Sequence, residues 1–147
     1  MNWQSLLQAQ RIKPHQTSLK EIDDLRDVVE RDLQDAAIEA LSADRRFATA
    51  YNASLQLAKM VIACSGYRVV GSGHHMVTFE ALEIAIGSSV SNLASYLDTC
   101  RRKRNQVDYD FANAATETEA EDLLRQTEEF RDLVEQWIRK HHPSYAI

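Results

Sequence analysis

Turn-forming residues are scarce in this 147-residue sequence, which has only four glycines and two prolines. A sheet-rich fold needs many tight turns, and glycine and proline are the residues that shape most of them. The composition therefore argues against a fold built from β-hairpins. Long helices joined by a few connections are the architecture that it favours.

Cysteine clusters and nucleotide-binding or nucleophile motifs are also lacking. Cys64 and Cys100 each lie in an apolar helical pattern, so we interpret both as small buried residues in a reducing compartment. No Walker loop, GxGxxG or GxSxG pattern occurs. His74 and His75 are adjacent, and neighbouring histidines rarely face one ion, so we predict neither a metal site nor a cofactor. We expect one of these rings to pack and hydrogen-bond, and the other to lie at the rim of a cleft.

Long apolar runs are absent as well. No stretch approaches the roughly 18 apolar residues of a membrane span, and Met1 to Gln4 lack the charged and then apolar pattern of a signal peptide. We therefore expect a cytoplasmic protein that makes no membrane contact. The formal net charge of −5 argues against a general nucleic-acid coat, which needs excess lysine and arginine. A local basic patch could still bind a phosphate group.

The fold that we predict is a single all-α domain over residues 1–147. We expect an up-and-down bundle of about five helices over residues 17–142, preceded by an N-terminal arm or short helix at residues 1–16. A chain of this length buries about 68–70% of its unfolded surface, so it needs no metal or disulfide for stability.

Apolar spacings of three and four residues, together with capping signals, predict the bounds of the five helices. The first starts at a capping box of Ser18 and Glu21 and runs to about residue 41, and the second runs from Ser42 to Gly66. We expect residues 67–73 to be irregular and the third helix to cover about 76–86. Ser88 or Ser89 is expected to cap the fourth, and a capping box of Thr118 and Glu121 to start the fifth.

The most suggestive feature is a basic segment in the fourth helix, Arg101-Arg102-Lys103-Arg104. Leu97 and Arg104 are seven residues apart and therefore share a helix face, so Arg104 continues a buried stripe. A guanidinium on such a face needs a partner, and Asp108 is the nearest candidate. The simplest interpretation is an ordinary Arg104–Asp108 ion pair beside a solvated basic surface.

The second interpretation comes from a family resemblance. Arg104-Asn105, three further residues and Tyr109, near the end of the fourth helix, resemble the signature of the HEPN family. Ala50-Tyr51-Asn52-Ala53 on a long helix agrees with it, as does Gly66-Tyr67-Arg68 leading to Gly73-His74-His75. The resemblance covers about residues 20–140. It implies a dimer in which the arginine motifs of both subunits meet in a cleft.

Members of this family often cut RNA without a metal ion, in many cases as toxins paired with a nucleotidyltransferase-like antitoxin, whereas others bind nucleotides or proteins. By this resemblance Arg104, Asn105 and Tyr109 are the candidate catalytic residues. Arg101, Arg104, Asn105 and Asp108 are the candidate ligand-binding residues.

The sequence departs from the active pattern of the family at two positions. Tyr109 stands where active members have histidine, and Phe111 stands where they often have tyrosine. The ordinary pKa of tyrosine is about 10, so its use as a base at neutral pH costs about 4 kcal/mol. Arg104 can still grip a phosphate through paired hydrogen bonds. Phosphate binding therefore survives this substitution better than catalysis does.

Two hypotheses follow. In the first, the chain is a HEPN-like homodimer that binds RNA or a nucleotide in a cleft, either as a toxin-type ribonuclease or as a relative with weakened catalysis. In the second, it is a non-enzymatic dimerisation or protein-interaction module, in which the same face serves only as an interface.

Overall fold

The structure is a computed structural model that describes residues 2–71, 73–107 and 112–147. The described residues form six helices and two strands, and the predicted all-helical bundle is confirmed. In chain order they are α1 (Trp3–Gln8), β1 (Ile12–Pro14), α2 (Leu19–Ala36), α3 (Ala43–Cys64), β2 (Tyr67–Val69), α4 (His74–Ile86), α5 (Ser91–Asn105) and α6 (Glu117–His141). Within this part of the chain no helix combines the length and the apolarity that crossing a bilayer requires.

Helix α3 is the centre of the bundle. It packs against α2, α4, α5 and α6, and its side chains are buried on nearly every face, as expected for a helix that is surrounded by others. Ser54 is a polar residue on a buried face of α3, and it is hydrogen-bonded. Its hydroxyl lies 2.7 Å from that of Thr127, and the contact joins α3 to α6. This central position fixes the side chains that α3 presents to its neighbours.

The N-terminal segment forms a second, smaller core beside α3. Strands β1 and β2 pair antiparallel, and Leu6 and Ile12 pack on Ile62 of α3. The ring of Trp3 stacks on that of Tyr67 with centroids 4.7 Å apart. The prediction of an irregular segment at residues 67–73 was therefore wrong at its start, because residues 67–69 pair with a strand more than fifty positions earlier in the chain.

Helix α2 ends earlier than the sequence predicted, at Ala36 rather than about residue 41. Arg46 of α3 contacts this end: it is buried and donates from Nε to the Ala36 carbonyl oxygen at 2.9 Å. Nη1 of the same guanidinium lies 3.0 Å from Glu117 in the first turn of α6. One arginine thus joins the end of α2 to the start of α6.

The starts of two helices also differ from the prediction. The capping box of α6 is formed by Thr116 and Glu119, two residues before the predicted pair. Neither Ser88 nor Ser89 caps α5, because both lie in a 3₁₀ turn (Ser88–Val90) that leads into the helix. The N-cap of α2 is Ser18 as predicted, accepting from the Glu21 amide. The Glu21 carboxylate, however, accepts from Thr17 instead of returning to the cap.

Candidate functional site

Arg104 is half-buried, at the next-to-last position of α5 and seven residues beyond the buried Leu97. The central carbon of its guanidinium lies 5.9 Å from the centroid of the Tyr51 ring on α3. A cation at this distance from an aromatic face is attracted by the quadrupole of the ring. Arg104 therefore lies over an aromatic floor at the end of its helix.

Tyr51 is buried, and its hydroxyl lies 3.2 Å from Nδ1 of His75 on α4. Burial raises the pKa of the Tyr51 hydroxyl, which therefore stays protonated at neutral pH. Burial also lowers the pKa of His75 to about 4, and the positive charges of Arg104, Lys59 and Arg101 add to this effect. Arg104 thus lies over a neutral tyrosine, which in turn contacts a neutral histidine.

A shallow depression of about 270 Å³ opens beside this arrangement, between the start of α4 and the end of α5. Its lining residues are Gly73, His74, His75, Met76, Arg101, Arg104 and Asn105. Gly73 has a φ of +68°, in the left-handed region that favours glycine, and this conformation starts α4 at the edge of the depression. Among the described residues, the lining combines two arginines and two histidines and has no carboxylate, so this part of the lining suits an anion.

The two histidines divide as the sequence predicted. His75 packs beneath the depression and contacts Tyr51, whereas His74 is exposed. Nδ1 of His74 lies 3.1 Å from the carbonyl oxygen of Gly71, which can only accept, so Nδ1 is the donor in this contact and Nε2 takes no part in it. His74 can therefore present Nε2 to a ligand at the rim.

Three cations of the basic segment, Arg101, Arg102 and Lys103, lie close to carboxylates. Arg101 donates from Nε to Asp98 at 2.9 Å, and Arg102 lies 3.6 Å from the same carboxylate. Lys103 is 3.2 Å from Glu119 of α6. Of the predicted ligand-binding residues, Arg101, Arg104 and Asn105 line one depression, and Asp98 already partly neutralises Arg101.

Three predicted positions, Asp108, Tyr109 and Phe111, lie outside the described residues. Sequence reasoning placed Tyr51 on a buried helix face and expected one of His74 and His75 to pack and the other to lie at the rim of a cleft, but it included none of the three among the site residues. Tyr51 contacts the site from a helix more than fifty positions before Arg104, and the helical period indicates burial without naming the neighbour. The family-like Ala50-Tyr51-Asn52-Ala53 segment was the available signal.

Other chemistries find little support in the described residues. Cys64 and Cys100 are buried, as predicted, and burial raises the pKa of both thiols to about 11, which disfavours a nucleophilic role. This part of the chain has no cluster of histidine, cysteine or acidic side chains that could hold a metal ion.

A larger cavity, of about 800 Å³, lies elsewhere and is lined mainly by α2 and α6. Among its lining residues, Arg26 pairs with Glu135 and Arg131 with Glu30. These ion pairs hold the two helices together, so we assign the cavity a structural role.

Comparison with models of known protein families gives a match. A family model described as SAV_6107-like HEPN matches residues 37–135, more than half of the chain. The matched span contains Tyr51, His75 and Arg104. No curated protein and no solved structure matches the chain.

Proposed function

Because this chain belongs to the HEPN family, we propose that it binds the phosphate group of an RNA or a nucleotide in the depression lined by Arg101, Arg104 and Asn105. The observation that supports this most directly is the position of Arg104, over the Tyr51 ring at the edge of a depression whose described lining is basic. A guanidinium presents its donors in a planar fork that matches phosphate oxygens.

The proposed roles follow from the geometry of each side chain. Arg104 grips the anion, and Asn105, exposed at the end of α5, orients it by hydrogen bonding. His74 contributes Nε2 from the rim, and Arg101 adds positive charge that Asp98 partly offsets. His75 stays neutral at pH 7 and positions Arg104 through Tyr51 instead of contacting the ligand as a cation.

The ligand cleft is proposed to form between two copies of the chain, in keeping with the family resemblance. The catalytic reaction that the family resemblance implies for this site is metal-independent RNA cleavage that involves Arg104, Asn105 and Tyr109. Tyr109→His tests this point because it restores the histidine of the active pattern. Metal-independent cleavage by the variant alone identifies a disabled ribonuclease, and its absence from both proteins identifies a binding domain.

The experiment that tests binding compares Arg104→Ala and Arg104→Lys with Lys140→Ala, which removes an exposed cation near the end of α6. A labelled single-stranded RNA and ATP are the probes, and sedimentation reports the oligomeric state. We expect Arg104→Ala to weaken binding about 10- to 100-fold, because it removes charge-assisted hydrogen bonds. Arg104→Lys should recover part of this affinity, and Lys140→Ala should bind like the wild type.

A second candidate function, a protein-interaction module without a nucleotide ligand, is favoured by the ion pairs of the basic segment. Asp98 and Glu119 already engage Arg101, Arg102 and Lys103. In that case the wild type binds neither probe, and Arg104→Ala dissociates the dimer. If Arg104→Ala leaves both the dimer and the affinity unchanged, neither function rests on this arginine.

A further inference from the structure

The two-stranded sheet places two positive charges directly opposite each other. Lys13 of β1 and Arg68 of β2 are partners in the antiparallel register, and both are exposed. Directly opposed residues share one face of a sheet, and like charges at such a pair are destabilising. Because the opposed charges do not stabilise the sheet, we look for their role in binding a ligand.

Two further cations lie near this pair. Lys59 is exposed on α3, although most of the residues around it in that helix are buried, and it lines the same cavity of about 320 Å³ as Arg68. Arg11 immediately precedes β1, and its carbonyl oxygen accepts from the Val70 amide beyond β2. We call Arg11, Lys13, Lys59 and Arg68 the basic strip.

The basic strip has no ion-pair partner in the part of the chain that the structure describes. Within residues 2–71, 73–107 and 112–147, none of its four cations lies within 4.0 Å of a carboxylate. The carboxylate in the cavity beside Arg68 is Glu21, and it is already held by Thr17 and His15 at 2.7 Å each. Elsewhere on the surface, cations such as Lys20 and Arg125 are ion-paired. The strip is therefore a local concentration of positive charge on a chain whose net charge is −5.

The basic strip adjoins the depression beside α5. Nη2 of Arg11 lies 3.8 Å from the position that a Cβ atom on Gly73 would occupy. Gly73 itself lines the depression together with Arg101 and Arg104. Positive charge thus continues from the end of α5, past the start of α4, to the exposed face of the sheet.

We propose that the basic strip binds the phosphate backbone of a single-stranded RNA whose next phosphate occupies the depression at Arg104. This inference rests on the proposed function and narrows its ligand from any nucleotide to a strand of several nucleotides. A mononucleotide can neutralise the depression or the strip but cannot span both. Lysine and arginine side chains on an open surface bind successive phosphates without reading the bases.

The test measures binding of labelled oligouridylates of about three and about fifteen nucleotides, at several salt concentrations. The variants are the double variant Lys13→Ala/Arg68→Ala, Arg104→Ala, and a charge-matched control, Arg125→Ala/Lys140→Ala on α6. We expect the double variant to bind the long oligomer about tenfold more weakly at low salt. The slope of log affinity against log salt should fall by about 1.4, since each phosphate contact on a single strand contributes about 0.7. The short oligomer should bind as it does to the wild type.

The outcomes separate this inference from the proposed function. If the double variant and the control bind the long oligomer equally, the strip is no RNA surface, while loss of binding in Arg104→Ala still upholds the depression. If the strip variant loses affinity and Arg104→Ala does not, the proposed function fails at Arg104 and only the strip binds RNA. If polyglutamate of similar length displaces the RNA equally well, the strip recognises an acidic protein and the RNA assignment is overturned.

Thermal melting verifies folding, and removal of the opposed charges should leave the melting temperature unchanged or slightly raised.

Discussion

The Tyr51 hydroxyl and Nδ1 of His75 lie 3.2 Å apart, beneath the guanidinium of Arg104. Three helices meet in this contact, since Tyr51 belongs to α3, His75 to α4 and Arg104 to α5. The ring of Tyr51 contacts Arg104, and its hydroxyl contacts His75. Substitutions that remove only one of these groups can therefore separate the two contacts.

Tyr51→Phe keeps the ring and removes only the hydroxyl. We expect the free energy of unfolding to fall by about 1 kcal/mol, as for the loss of a single hydrogen bond, with little change in ligand affinity. Tyr51→Leu removes the aromatic face as well and should also weaken binding at Arg104. Urea unfolding and RNA titration of both variants distinguish these effects. Equal affinities in Tyr51→Phe and Tyr51→Leu would show that the ring does not support Arg104.

His75 makes the stability of the fold depend on pH. Its pKa is about 4 in the folded chain and about 6.5 in an unfolded one, so the unfolded chain takes up the proton first as the pH falls. The contribution of neutral His75 is therefore complete above about pH 6.5 and is lost as the pH falls toward 4. Because the ring is only half-buried, we expect about 1–2 kcal/mol after discounting for solvent screening.

The matched variant for this prediction is His75→Gln, which retains hydrogen-bonding capacity but does not titrate. Unfolding free energies measured between pH 7.5 and 4.5 should fall more steeply for the wild type than for the variant. Carboxylates such as Glu21, whose pKa is lowered by hydrogen bonds from Thr17 and His15, affect both proteins alike. Parallel pH profiles would contradict the assignment of this dependence to His75.

Arg46 should contribute more to stability than its ion pair suggests. Arg46→Met removes the hydrogen bond to the Ala36 carbonyl oxygen inside the bundle, and we expect a loss of about 2 kcal/mol. Glu117→Gln weakens only the more exposed half of the interaction, for which about 0.5 kcal/mol is expected. Equilibrium unfolding measures both. A larger effect of Glu117→Gln than of Arg46→Met would show that the ion pair, and not the buried hydrogen bond, dominates.

The start of α6 offers a direct comparison between sequence pattern and structure. Thr116→Ala removes the observed N-cap and should cost about 1 kcal/mol. Thr118→Ala removes the cap that the sequence pattern predicted, yet this residue lies inside the first turn, so a change below about 0.5 kcal/mol is expected. Thermal unfolding of the two variants decides which threonine caps the helix.

The capping pattern misplaced this helix because two overlapping solutions fit the same rule. Thr116 with Glu119 and Thr118 with Glu121 are both threonine–glutamate pairs at the required spacing. The structure selects the first pair through distant contacts: Asp44 of α3 accepts from the amides of Asn113 and Ala115 and fixes the approach to α6. The capping-box pattern compares residues three positions apart, so it cannot reveal contacts between residues about seventy positions apart.

The helices of the bundle could be predicted because their apolar period is strong and long, as Val29 and Leu33 of α2 illustrate. The sheet could not, since its strands have three residues each and pair over a long sequence separation. The position of Arg104 followed from its spacing from Leu97. Its neighbour Tyr51 did not, because periodicity assigns a residue to a face and not to a partner.

The stacked pair of Trp3 and Tyr67 gives the chain a built-in optical probe. Tyr67 lines the cavity of about 320 Å³ together with Arg68 and Lys59, so we expect a polyanion bound there to change the surroundings of the indole that stacks on Tyr67. The sequence has two tryptophans, and Trp137→Phe would leave Trp3 as the sole emitter. Occupancy of the sheet surface could then be followed by fluorescence without any attached dye, on a protein altered only on α6.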